Sequence, residues 1–161
     1  MKLFHATSHV KFAAATLAIL ASPAGFANDL ANNVVNLEVG NWENKQSVTI
    51  NGHEISHGAL GGTECLTEAE SQLTIGEYLE KFVQNVGSDH MCTFSDFRGA
   101  GGNVTIDVSC SIPDGTTTAM TLNYKYSRTN VSVLGEGMVT TSGTSVPIKV
   151  VGTSQYLGAC S

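Results

Sequence analysis

From Asn103 to Cys110 the chain alternates strictly, with Val104, Ile106, Val108 and Cys110 on one side and Asn103, Thr105, Asp107 and Ser109 on the other. A period of two lines one face of an extended strand with apolar groups, so Asn103–Ile112 reads as a half-buried antiparallel strand. Thr117–Tyr126 repeats the pattern, with Met120, Leu122, Tyr124 and Tyr126 on one face. Further strands are expected at Trp42–Ile50, His53–Cys65, Cys92–Arg98, Val131–Val139 and Val146–Tyr156. Asn51-Gly52 between the first two is a strong hairpin signal, because both residues tolerate φ > 0. Roughly seven or eight strands at about 10- to 15-residue intervals, joined by tight turns, imply a mainly β fold. The expected architecture is an antiparallel meander curled into a barrel or half-barrel.

One helix interrupts the pattern. Thr67-Glu68-Ala69-Glu70 and Thr74-Ile75-Gly76-Glu77 both have the spacing of a capping box, in which a threonine hydroxyl and a glutamate three residues on satisfy each other's backbone N–H groups. Ile75, Tyr78, Leu79, Phe82, Val83 and Val86 then recur at helical spacing, and Gly87 supplies a stop. A short turn at 67–72 and an inserted α-helix at about 75–86 follow.

The amino terminus reads as an export signal. Lys2 and Lys11 precede an apolar run from Phe12 to Ala21, and Gly25 and Ala27 are the small residues that a cut after Ala27 requires. The run is too short to cross ~30 Å of hydrocarbon as a helix. Residues 1–27 are therefore expected to be a cleaved signal peptide, 28–36 a flexible lead-in and 37–161 a single disulfide-bonded domain of the periplasm or the exterior. The leader carries two of the eight Lys and Arg and none of the fourteen acids, so the remainder has a formal charge of 6 − 14 = −8. Such a domain repels phosphate backbones and anionic lipid, which argues against nucleic-acid and membrane-surface partners. No transmembrane segment is expected after signal cleavage.

The cysteines are Cys65, Cys92, Cys110 and Cys160. An even count in an exported chain reads as disulfides, and none of the spacings is C-x-x-C. Cys92 and Cys110 are equidistant from a turn centred near Gly101, so they face each other across a hairpin, close enough to bond. Cys65 is then left to Cys160.

His53-Glu54-Ile55-Ser56-His57 matches the zinc-protease motif H-E-x-x-H, a chemistry that needs both imidazoles on one helical face. Here the motif follows a hairpin turn. In a strand the two histidines lie ~13 Å apart, too far to share an ion. No metal, no cofactor and no catalytic residue is assigned. Candidate ligand-binding residues are Asp96 and Arg98, expected near the tip of the 92–110 hairpin on its apolar side, and Tyr124 and Tyr126, which could line a pocket. Trp42, the single tryptophan, reads as core.

Gly40-Asn41-Trp42-Glu43, Glu64-Cys65-Leu66-Thr67-Glu68, Cys92-Thr93-Phe94-Ser95-Asp96-Phe97-Arg98 and Leu157-Gly158-Ala159-Cys160, in that order, resemble a family of small exported proteins of Gram-negative bacteria known only as a domain of unknown function. The resemblance spans about residues 37–161. It departs from the pattern in carrying an acidic helix after Thr67, where a shorter and more proline-rich linker is expected. It implies export, the four-cysteine framework and a β fold, and it brings no activity or catalytic residue.

The functional expectation is non-enzymatic binding of a small apolar or amphipathic ligand, with Gly135, Gly137 and Gly152 leaving room inside the curled sheet. The alternatives are a protein–protein interaction module of the cell envelope and, more weakly, a hydrolase using His53, Glu54 or Asp96. Intact mass of the exported protein should show the loss of residues 1–27, and retention of Met1 would refute the export reading.

Overall fold

The computed structural model describes residues 30–55, 61–86 and 91–160, with 81–86 as backbone only. The expected signal peptide and His57 lie outside the described residues, as do the side chains of Phe82, Val83 and Val86. Eight strands are present among the described residues: β1 (Gly40–Ile50), β2 (His53–Ile55), β3 (Gly62–Leu66), β4 (Met91–Ala100), β5 (Asn103–Ser111), β6 (Thr117–Tyr126), β7 (Asn130–Thr141) and β8 (Thr144–Gly158). Two helices, α1 (Glu68–Ser71) and α2 (Ile75–Val86), lie between β3 and β4. The expected strand over His53–Cys65 is two strands, and both pair with β1.

All eight strands form one antiparallel sheet in the order β2-β1-β8-β7-β6-β5-β4, with β3 also on β1. β4 to β8 is a meander of consecutive hairpins. β1 then pairs with β8 from Asn41↔Gly158 to Ile50↔Ile148, with a bulge beside Trp42. The sheet is curled and open, since β4 at one end and β2 and β3 at the other are edges.

Local chemistry explains the turns. Asn51 and Gly52 (φ 50° and 79°) and Ser142 and Gly143 (φ 51° and 78°) both hold the left-handed backbone of a two-residue hairpin turn. Both capping boxes form. Thr67 Oγ1 accepts from the Glu70 N–H at 3.3 Å while Glu70 Oε2 accepts from the Thr67 N–H at 3.0 Å. Thr74 and Glu77 repeat the exchange at 3.3 and 2.8 Å.

Cross-strand partners share a face. Ile106, Leu122, Gly135, Val150 and Val48 therefore form one inner row, and Val108, Met120, Gly137, Ile148 and Ile50 the next. α2 packs its Ile75 and Leu79 onto Val104, Ile106, Val108 and Leu122 at the β5–β6 end. A second cluster joins Leu37, Trp42, Leu66 and Val131. Trp42 is core, as expected: it is buried, its indole N–H donates to the Glu38 carbonyl at 2.8 Å, and its ring stands edge-on to Tyr156 at 5.9 Å. Ahead of Leu37, Val35 donates its N–H to the Leu73 carbonyl and Val34 bridges to Thr74, which ties this stretch to the start of α2.

Both disulfides join the expected partners. Cys92 and Cys110 are directly opposite in the β4–β5 ladder, and Cys65–Cys160 links β3 to the end of the chain across a separation of 95 residues. Two disulfides suit an oxidising compartment rather than the reducing cytosol. Among the described residues no helix is long and apolar enough to cross a membrane.

Ile106 is 0 % exposed at the contact between sheet and helix. Ile106→Ala should cost ~2–5 kcal/mol, the range for truncating a buried aliphatic side chain. Urea unfolding followed by tryptophan fluorescence measures it, and a loss under ~1 kcal/mol would contradict this packing.

Candidate functional site

The four candidate ligand-binding residues do not converge. β4 carries a register shift between Ser95 and Arg98, where Asp96 takes φ 51°. A bulge adds a residue to one strand and reverses the facing beyond it. Phe97 accordingly packs against the core cluster. Arg98 stands opposite Thr105 on the outer face, which corrects the expectation that it lies on the apolar side. Its guanidinium grips Asp107 through both terminal nitrogens at 3.2 Å. Asp96 is exposed, and its carboxylate makes no ion pair among the described residues. Tyr124 and Tyr126 face inward and pack against both clusters. Burial, and secondarily the neighbouring Tyr78, pushes the Tyr124 hydroxyl well above the ordinary tyrosine range. Burial and then Glu64 push Tyr78 in the same direction.

His53 and Glu54 lie in β2, a strand, as their place after Asn51-Gly52 requires. Among the described residues no three His, Cys, Asp or Glu side chains gather as a metal site would need.

Among the described residues, the space between sheet and helix is small. The cavity bounded by Val35, Leu37, Ile75, Tyr78, Leu79 and Tyr124, with three further residues, measures about 20 Å³. That is about the room one water needs, far below the ~300 Å³ at which small-molecule pockets begin. The inner-face glycines do not leave space either, contrary to the sequence-based expectation. A Cβ on Gly135 would meet Leu122 Cδ2 at 2.7 Å, one on Gly152 would meet Val133 Cγ1 at 2.7 Å, and one on Gly137 would strike the Ala119 carbonyl oxygen. Larger neighbours already fill the room.

Beyond the two clusters the inner face continues as a half-buried aliphatic strip, a trough, as far as the described residues show. Past the two clusters, Val48 and Ile50 of β1, Val139 of β7 and Val146, Ile148 and Val150 of β8 are half-buried and belong to neither cluster. They occupy neighbouring rows of one surface, since Val48 pairs with Val150, Ile50 with Ile148 and Val139 with Val146. Along the same two strands the character changes. Gln46 pairs with Gly152 and Asn44 with Ser154, so the trough runs from aliphatic to polar. Asn44 Nδ2 donates to Glu64 Oε1 at 2.8 Å, which places a carboxylate at the polar end. Sequence reasoning missed this surface. Val146, Ile148 and Val150 alternate visibly, but their adjacency to Val48 and Ile50 depends on pairing the first strand with the last.

A family model described as "Protein of unknown function (DUF3617)" matches residues 37–160. No match is found among curated proteins or among solved structures.

On the outer face, Asp107 also accepts from the Thr121 hydroxyl at 2.7 Å. That bond first, and Arg98 after it, hold the carboxyl below the ordinary aspartate value in spite of an opposing desolvation. A carboxyl whose folded pKa is depressed adds stability above its unfolded pKa of ~3.9 and loses it as pH falls through the folded value. Asp107→Asn should therefore flatten the decline of Tm below about pH 4. Matching Tm–pH slopes for variant and wild type would show that the carboxyl is not held in this way.

Proposed function

This chain belongs to the DUF3617 family of proteins of unknown function, and we propose that it is a non-enzymatic binding protein of the periplasm or cell exterior whose trough receives a single-chain amphiphile. The observation that carries the reading is the gradient along β1 and β8, from Ile50, Ile148, Val48 and Val150 to Gln46, Asn44 and Ser154. Half-buried aliphatic side chains gain by further burial at about 25 cal/mol per Å² of apolar surface removed from water. Amide and hydroxyl groups at the far end suit a neutral polar head. Glu64 disfavours a carboxylate head, because two like charges close together are repulsive. Since the cavity between sheet and helix measures about 20 Å³ among the described residues, the ligand lies along the face of the sheet rather than inside a closed barrel. Sequestering an amphiphile requires no nucleophile or base, and the chain carries no nucleophile-elbow motif.

Monodecanoylglycerol, titrated below its micelle concentration and followed by amide NMR, should bind saturably and shift resonances of β1, β7 and β8. Decanoate, with its charged head, should bind more weakly. Ile148→Gln should weaken the monoester severalfold while thermal unfolding stays cooperative. Absence of saturation, or shifts confined to other strands, would overturn the reading.

A further inference from the structure

A second feature lies mainly on the outer face and adjoins the polar end of the trough at Ser154. A groove of about 480 Å³ runs across one end of the sheet, within the ~300–1,000 Å³ range of small-ligand sites. Its floor is a row in register across five consecutive strands. Asn103 pairs with Lys125, Lys125 with Ser132, Ser132 with Thr153, and Thr153 with Lys45. The row beyond it is also polar, since Asn130 and Glu43 both pair with Gln155. These positions alternate with inward-facing core residues, so their side chains share the opposite surface. At ~4.8 Å per strand, Lys125 and Lys45 stand ~14 Å apart with the two hydroxyls between them.

Charge singles out Lys125. The whole chain has a formal charge of −6, and among the described residues Lys45, Arg98, Arg128 and Lys149 each stand in an ion pair. Lys125 has no ion-pair or hydrogen-bond partner among the described residues, although acids outnumber cations. In the groove Lys45 is answered by Glu43 at 2.8 Å, which leaves one uncompensated positive charge among neutral amides and hydroxyls.

We propose that this groove binds an acidic saccharide, with Lys125 meeting a sugar carboxylate and the row Asn103–Ser132–Thr153 meeting ring hydroxyls. The chemistry follows from the lining. A polyol offers donors and acceptors at the density that the amides and hydroxyls present, and a charge-assisted bond to Lys125 adds the anion requirement. A nucleic-acid backbone fits less well, because it needs several phosphates neutralised and the groove has one unpaired cation among the described residues. The floor is already set by backbone ladders, so little order is lost on binding.

The test is an amide NMR titration of the full mature protein with tetragalacturonate, and in parallel with the uncharged maltotetraose, at low ionic strength. Tetragalacturonate should saturate and shift Lys125, Ser132 and Thr153. Lys125→Gln should weaken it about tenfold, the loss of one charge-assisted hydrogen bond, with unfolding unchanged because the side chain is exposed. Raising salt should weaken binding in wild type more than in the variant. Three results would each overturn the proposal: no saturation, equal affinity in the variant, or maltotetraose binding as tightly as the acid. The outcome is separable from that of the trough, because monodecanoylglycerol is expected to shift inner-face residues and to be indifferent to Lys125→Gln.

Discussion

The pairing of β1 with β8 is the constraint on which both surfaces rest. It joins residues 41–50 to 148–158, so the loop-closure entropy of more than half the chain opposes it. Several features offset that cost. Trp42 and Tyr156 meet edge-on across the pair, the register runs nearly its full length, and Cys65–Cys160 ties the neighbouring strand to the carboxyl terminus. In the chain-entropy account a link of that span constrains the unfolded ensemble by ~4–5 kcal/mol. Without this pair the meander from β4 to β8 would remain a sheet, but Val48 and Ile50 would not flank Val150 and Ile148. Lys45 would likewise not extend the outer row.

Among the described residues, the packing inside the curl covers the β5–β6 end closely and leaves the inner face of β1, β7 and β8 half-buried. Helix α2, fixed at its start by Thr74–Glu77 and by the Val35 N–H on Leu73, places Ile75 and Leu79 over the β5–β6 end. Gly135 and Gly152 admit Leu122 and Val133 where a Cβ would otherwise stand. These glycines allow close packing between rows, so Leu122 is buried without displacing β7. At the β8–β1 end the same sheet continues with aliphatic side chains that the two clusters leave half-exposed.

Among the described residues, electrostatics on the outer face follow a simple rule with one exception. Exposed cations sit beside acids, in pairs that contribute little to stability because water screens them. Asp107 is more firmly held because a hydroxyl on the adjacent strand donates to it. Lys125 stands apart from this pattern, in the row where the sheet is most uniformly polar.

Much of this was legible along the chain, because the responsible forces act locally. Alternation located the strands, Asn51-Gly52 its hairpin, and two threonine–glutamate boxes the helix starts. The symmetry of Cys92 and Cys110 about one turn identified their bond, and elimination then identified the other. The turn at Asn51-Gly52 also placed His53 and Glu54 in a strand. Tertiary structure alone decided the rest. The bulge at Asp96 turned Arg98 outward, and a one-residue insertion of that kind depends on how the partner strand packs rather than on any local signal. Whether a glycine opens a cavity or admits a neighbour depended on residues across the sheet. The trough and the polar row exist only once the first strand lies against the last, a pairing for which sequence neighbours carry no signal. Local propensity could therefore determine the strands, turns, caps and disulfides of this protein, while the surfaces that could bind anything required long-range register.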